Sequence, residues 1–207
     1  MIQSNLTNRS FLDSVLDFIF PPTCAGCGAT GSLICANCES KFVWIKEPTC
    51  VTCGQPTLDQ GLCAQCTKVP PAIDQIRAPI LYTESVTRII HNLKYYDQFA
   101  LAKPLAQLMS AAVPQFHPPF APNLIVPIPL HHKREKERGY NQAGLLAKEL
   151  GKLLGLPVSQ TALQRIRQTD SQAKLTREER MINMANAFET DREAVQRKHD
   201  LLVDAVC

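Results

Sequence analysis

Apolar and polar positions follow two regimes along the chain. Up to Cys66 they come as short segments punctuated by cysteine pairs, and beyond Lys68 they lengthen into periodic runs. Before the first cysteine, Leu12, Val15, Leu16 and Ile19 interleave with Asp13 and Asp17 at helical spacing. This predicts an amphipathic helix within residues 1–22, stopped by Pro21 and Pro22. Its two carboxylates rule out the apolar core of a signal peptide. In the second regime residues 76–82 read as a strand, residues 86–95 as a helix with Val86, Ile89, Ile90 and Leu93 on one face, and residues 101–113 as another helix. The run Leu124, Ile125, Val126, Pro127, Ile128, Pro129 has the unbroken apolarity of a strand buried on both faces. Residues 142–154 form a helix ended by Gly155 and Pro157, and residues 201–203 begin another buried strand. Strands alternating with such helices predict an α/β fold with a parallel sheet, which places ligands at the carboxyl ends of its strands.

Length divides this pattern into parts. The 207 residues suffice for one ordinary domain and a small one. Eight of the nine cysteines lie between Cys24 and Cys66, and Pro70 and Pro71 stiffen the segment that follows. The expected division is a helix in 1–22, a cysteine module in 23–70 and an α/β domain in 71–207. Apolar residues at 45% and charged residues at 20% exclude a disordered chain, and a net charge of +3 is too small to imply nucleic-acid binding by itself. The longest uncharged stretch, 104–130, is interrupted by Pro114, Pro118, Pro119, Pro122, Pro127 and Pro129, so no membrane-spanning helix is expected, although peripheral contact with a membrane stays open. Without an export signal the expected location is cytoplasmic, where cysteines are thiolates available to metal rather than disulfides.

Cys24 and Cys27, Cys35 and Cys38, Cys50 and Cys53, and Cys63 and Cys66 each form a C-x-x-C turn. Two thiolates of one such turn reach a single ion, and two turns complete a closed tetrahedron of the structural kind. The first and third pairs are followed by Gly28 and Gly54, and the second and fourth are not, so the module reads as an internal repeat. The repeat favours two structural zinc ions, one held by Cys24, Cys27, Cys35 and Cys38 and the other by Cys50, Cys53, Cys63 and Cys66. Cross-braced pairing and iron–sulfur or redox chemistry are the alternatives that spacing leaves open. So small a module draws its folding energy from the metal.

Three further segments carry chemistry. After Pro129 comes a basic loop, residues 131–138, leading through Arg138, Gly139, Tyr140, Asn141 and Gln142 into a helix; it presents guanidinium groups and N–H donors to an anion. On charge pattern alone it is equally a solvated loop in which Glu135 and Glu137 neutralise their neighbours. Arg165, Arg167, Thr169 and Gln172 form the second segment, extended by Arg180 to Phe188, and Leu201 to Asp204 form the third.

Together with the cysteine module and Leu93-Lys94-Tyr95, these segments resemble the ComF family, whose pattern has a V-P-hydrophobic-P strand end, then R-G-[FY]-N-Q, R-x-R-x-T-x-x-Q and R-x-x-N-hydrophobic-x-x-A-F in that order. The resemblance implies a zinc ribbon joined to a type I phosphoribosyltransferase-like fold, whose phosphoribosyl-diphosphate-like anion site would have Arg134 and Arg138 at the pyrophosphate oxygens and Asp204 at the ribose hydroxyls. It implies a role in handling single-stranded DNA during natural transformation, beside other competence or DNA-handling proteins. Lys94, Lys133, Arg134, Lys136, Arg138, Arg165, Arg167, Lys174, Arg177 and Arg180 are candidates for a groove along the strand ends, with Tyr95, Tyr96 and Tyr140 stacking bases.

The sequence departs from the phosphoribosyltransferase pattern at its end. Ala205 stands where a second acid is expected, and the Thr/Gly-rich phosphate loop does not follow, so the α/β domain reads as incomplete at its carboxyl end. Tight binding of phosphoribosyl diphosphate is therefore not expected of this chain. An active phosphoribosyltransferase using Mg²⁺, and a structural zinc-ribbon adaptor, remain the two rival readings.

Overall fold

The computed structural model describes residues 21–116, 121–169, 172, 175–196 and 199–205. The helix expected within residues 1–22 and the groove candidate Lys174 lie outside these.

The internal repeat is visible in the backbone. Each half opens with a cysteine turn closed by a glycine N–H: Gly28 donates to Cys24 O at 2.7 Å and Gly54 to Cys50 O at 2.9 Å. Both glycines have positive φ, 79° and 70°, where a side chain is strained. Each half then ends in a short helix entered through a cysteine, α1 (Ala36–Glu39) after Cys35 and α2 (Ala64–Lys68) after Cys63.

Residues 76–82 do not form a strand of the sheet. Leu81 donates to Val43 O at 2.9 Å, Ile45 to Pro79 O at 3.0 Å and Ile76 to Thr52 O at 2.6 Å, so this extended stretch is bound to the cysteine module. Its only ladder pairing among the described residues is the single bridge Trp44↔Ile80. Pro79 has no N–H to extend the ladder.

Beyond it, α3 (Glu84–Tyr95) buries Val86, Ile89, Ile90 and Leu93 as its periodicity predicts, and starts two residues earlier because Thr83 is already extended at the cap. The helix expected over 101–113 divides into a turn at Phe99–Leu101, α4 (Ala102–Ser110) and a turn at Val113–Gln115. Strand β1 (Leu124–Pro127) is buried throughout. The basic loop is a helix, α5 (His132–Arg138), capped by the His131 ring and ended by Gly139 at φ 82°. Lys, Arg and Glu all lose little on entering a helix, which explains this departure from a charge-based reading. Helix α6 (Gln142–Leu154) has the predicted bounds, with Asn141 Oδ1 accepting the Ala143 N–H at 3.0 Å and Gly155 at φ 67°.

The rest is built from β2 (Leu163–Arg165), α7 (Arg177–Met184), β3 (Phe188–Thr190), α8 (Arg192–Val195) and β4 (Asp200–Val203). β4 lies parallel to β1 with Leu124↔Asp200 through Pro127↔Val203, and β2 pairs antiparallel with β3. Ile125 also bridges Val158 in parallel, so β1 has neighbours on both sides. The architecture is thus α/β with a small parallel sheet. α4 and α6 pack on one another, and α6 approaches the strands closely at Gly151, where a Cβ would lie 2.5 Å from Val158 Cγ2. The main core runs from these elements through α3 to Ala25 and Phe42 of the cysteine module.

Two repeat-related glycines separate strain from crowding. A Cβ on Gly28 meets nothing within 4 Å, whereas one on Gly54 lies 2.5 Å from Ile76 O. Gly28→Ala is expected to cost about 1–2 kcal/mol for its backbone conformation alone, and Gly54→Ala more, measured as denaturant midpoints of the metal-loaded chain. Equal losses would show that the approach to Ile76 is unimportant.

Candidate metal centres and anion cleft

The four sulfurs of Cys24, Cys27, Cys35 and Cys38 all lie within 4.8 Å of one another, as do those of Cys50, Cys53, Cys63 and Cys66. The repeat is therefore paired in sequence order, not cross-braced. Cys27 Sγ is 3.6 Å from Cys35 Sγ, and Cys53 Sγ is 3.7 Å from Cys63 Sγ. A tetrahedral zinc with bonds of about 2.3 Å holds its sulfurs about 3.8 Å apart, close to these two separations, so both sets suit the ion. Gly26 leaves room for this closeness: a Cβ there would sit 2.8 Å from Cys38 Sγ.

The backbone prepares the same thiolates. Burial raises Cys24, but the N–H groups of Cys35, Gly26 and Cys27 outweigh it and bring the thiol down to about 6. Cys50 behaves alike, with burial overcome by the N–H groups of Cys63, Cys53 and Thr52, and also falls to about 6. Burial and the neighbouring sulfurs push Cys38 and Cys66 up to about 12. A cation is what lets all four thiols of a set ionise together.

A second constellation lies at the other functional region. Helix α5 and the segment after β2 enclose a cavity of about 70 Å³ lined by His131, Lys133, Arg134, Glu137, Arg165, Gln168 and Thr169. Arg165 is held by hydrogen bonds to Thr169 Oγ1 and Met184 Sδ, with its guanidinium over the Phe188 ring at 5.7 Å. Its Nε is buried and has no hydrogen-bond partner. Burial, and then the charges of Arg134 and Arg167, lower its pKa. Burial, His132, Arg165 and Lys133 likewise lower His131, whose Nδ1 accepts the Lys133 N–H at 3.4 Å. Positive groups from distant parts of the chain are thus gathered at the cavity, where Glu137 is the one acid among the described lining residues.

The other candidates are distributed differently. Arg138 lies one turn beyond Arg134 on α5, bonded to Gln142 Oε1 and 5.0 Å above the exposed Tyr95 ring. Arg167 donates to Asn183 O at 2.8 Å and Ala185 O at 2.6 Å, closing the carboxyl end of α7. Arg180 Nε donates to Gln172 O at 3.0 Å. Tyr140 is buried, edge-on to Phe99 at 4.6 Å with its hydroxyl on Leu93 O, which removes it from base stacking; Tyr96 is exposed. Lys94 is also buried, and its charge acts on Asp204 rather than on a surface groove. Asp204 keeps solvent contact at the end of β4, yet partial burial raises its carboxyl pKa while Lys94 and the Ala205 N–H pull it down.

Three side chains make contacts that had no signal in the sequence. Arg77 donates to Val51 O at 3.0 Å and Thr52 O at 3.4 Å, Asn92 to Ala25 O at 3.1 Å and Arg88 to Gly26 O at 3.5 Å, all at the cysteine turns. Their pairing depends on how separate segments pack.

No helix among the described residues is long and apolar enough to cross a membrane. Residues 15–67 match the double zinc ribbon domain. Competence protein F of Haemophilus influenzae is 32% identical over 160 residues, covering 75% of this chain and 69% of that one. DNA utilization protein YhgH of Salmonella typhimurium is 30% identical over 177 residues, 84% of this chain and 77% of its own. Competence protein ComFC of Bacillus subtilis is 26% identical over 83% of this chain and 70% of its own. No solved structure gives a significant match. Identity at this level, across more than two thirds of both partners, makes the chain a member of the ComF family of competence and DNA-utilization proteins.

Proposed function

We propose that this protein serves competence by handling single-stranded DNA, on a phosphoribosyltransferase-like scaffold in residues 71–207 joined to a ribbon in residues 23–70 that carries two structural zinc ions. The observation that carries the reading is the meeting of Arg134 and Lys133 on α5 with Arg165 at the end of β2 around one cavity. A phosphodiester oxygen is the ligand for such a group: singly charged, repeated along a strand, and able to take donors from several directions. Residues four apart on a helix share a face, so Arg134 and Arg138 define one line on α5. That line ends at Tyr95, whose exposed ring under Arg138 offers a surface for an unpaired base. Phosphates would lie over the cavity and a base against Tyr95 and Tyr96. The names of the relatives, competence and DNA utilization, agree with this assignment.

A second reading has one observation in its favour. Asp204 leaves β4 beside Ile128, whose N–H donates to Val203 O at 2.9 Å, so a carboxylate and the turn leading to the basic helix share one sheet edge. That is the disposition needed to hold ribose hydroxyls and a diphosphate with Mg²⁺, the chemistry of a phosphoribosyltransferase. Calorimetry with Mg²⁺ and phosphoribosyl diphosphate separates it from strand handling; binding abolished by Asp204→Ala would favour the enzyme.

Fluorescence anisotropy with a labelled oligothymidine tests the main reading. The wild type should bind with an affinity that falls as salt rises, and the pair Lys133→Ala with Arg134→Ala should flatten the slope of log K against log salt by about 0.7 for each phosphate no longer neutralised. Tyr95→Ala should weaken binding by about 1–3 kcal/mol and leave the slope unchanged, because stacking releases no counterions. Absence of any salt-sensitive binding would end the proposal.

The metal assignment has its own measurement. Elemental analysis of the chain purified without added metal should give two zinc ions, and acidification should release them as protons displace the metal from the thiolates. Iron, or one ion per chain, would reject it.

A further inference from the structure

Each leading cysteine turn contains two peptide groups whose two ends face different partners. In the first turn the Cys24 sulfur accepts the Cys35 N–H at 3.3 Å, and the N–H groups of Gly26 and Cys27 in the same turn add to the positive potential that lowers its pKa. The carbonyl ends of those same peptide groups are Ala25 O and Gly26 O. They face α3, where Asn92 Nδ2 donates to the first at 3.1 Å and Arg88 Nη1 reaches the second at 3.5 Å. In the second ribbon the Cys50 sulfur accepts the Cys63 N–H at 3.3 Å, and the N–H groups of Thr52 and Cys53 in the same turn add to the potential that lowers its pKa. Their carbonyl ends, Val51 O and Thr52 O, both accept from the guanidinium of Arg77, at 3.0 and 3.4 Å, and Thr52 O also accepts the Ile76 N–H at 2.6 Å. The donors come from outside the repeat, from α3 and from the extended stretch before it. Repetition of the cysteine module does not account for their coincidence.

We propose that Arg77 at the second ribbon, and Asn92 with Arg88 at the first, are outer positioning residues for the metal, each acting through a peptide group on the thiolate at its far end. The proposal rests on the reading that zinc occupies both clusters. Hydrogen bonds in series polarise one another: a donor on the carbonyl makes the N–H of that peptide a better donor to sulfur. In a tetrathiolate site the sulfurs outweigh the charge of the dication, and a guanidinium that cannot release its proton supplies lasting compensation. Metal retention in the ribbons is thereby set by side chains of the α/β domain.

The two sites are not held equally. Arg77 is charged and is fixed by further bonds to Gln115 O at 3.0 Å and Gln75 Oε1 at 3.0 Å, with Phe116 under its guanidinium at 5.7 Å. Burial lowers its pKa, and the negative charges of Glu47, Cys50 and Cys53 oppose that effect. Asn92 is neutral, and Arg88 reaches Gly26 O only at the limit of a hydrogen bond while also pairing with Glu84. The second site therefore depends more on its outer residue than the first.

The test uses the full chain loaded with zinc and mixed with a chromogenic zinc chelator, which records the release of each ion. Arg77→Ala should speed the release of one ion by about 10- to 100-fold, the usual consequence of losing an outer partner, and leave the other unchanged. Arg77→Lys should fall between, since one ammonium does not span both carbonyls. Asn92→Ala should speed the other ion by a smaller factor. Cadmium in place of zinc gives a resonance for each cluster, and each variant should move only its own. Where Arg77→Ala loses helical circular dichroism, Arg77→Lys carries the same comparison. Wild-type release of both ions from either Arg77 variant overturns the proposal, as does equal acceleration of both ions with both resonances displaced. A chain that binds salt-sensitively to DNA but purifies without zinc overturns the metal assignment beneath it and leaves strand handling standing.

Discussion

Four thiolates held within 4.8 Å of one another repel, and the ribbon half of this protein depends on something positive to hold them together. The cost is visible in Cys38 and Cys66, which burial and neighbouring sulfurs push up to about 12. A module of this size has little apolar core with which to resist that repulsion. The chain answers at several levels: backbone N–H groups aimed at Cys24 and Cys50, glycine where a Cβ would intrude on Cys38, and cationic or amide side chains behind the turns. Each adds positive potential near sulfur without adding bulk between sulfurs. The same requirement ties the ribbons to the second half, because the donors behind the turns belong to it.

The second half gathers positive charge where the first disperses negative charge. Arg134, Lys133 and Arg165 crowd one cavity with Glu137 as the one acid among its described lining residues, and burial, followed by the charges of Arg134 and Arg167, lowers the pKa of Arg165. Such an arrangement is unfavourable for folding and favourable for an anionic ligand, whose binding removes the repulsion. Arg167 lies close by but uses its donors on the last carbonyls of α7. Its charge still adds to the field of the cleft, so a side chain can hold the fold with its hydrogen bonds and serve the site with its charge.

Much of this was legible in the chain. Helix α6 has a capping Asn141, an unbroken apolar period and a stopping Gly155, so local chemistry and tertiary packing agree along its whole length. The cysteine spacing gave the two four-sulfur clusters in which the eight cysteines are found, because the C-x-x-C turn is local geometry. Helix α5 was not legible: it has no apolar stripe, and its charge run reads equally as a solvated loop. Residues 76–82 have the composition of a strand, but the edge they bind belongs to the cysteine module, a choice made by packing. Tyr140 stands among polar residues and reads as exposed, and only the position of Leu93 O, far away in sequence, turns it inward. Arg77 and Asn92 carry no local signal for the same reason, since each meets a carbonyl dozens of residues away.

Helix α5 buries none of its seven residues. It is closed at one end by the His131 ring and at the other by Gly139, and a helix of two turns held by its caps and by Arg138 against Gln142 and Tyr95 gains little from burial to offset the ordering of its backbone. Its amides will accordingly open to solvent exchange long before those of α6, whose inward face is packed against the sheet. The element that carries Arg134 and Arg138 is in this sense a softer part of the α/β domain than α6. Ordering it on a phosphate chain would consume part of the electrostatic attraction, lowering affinity per phosphate. In return the guanidinium groups can follow a backbone of irregular curvature, which suits a strand that arrives without a fixed shape.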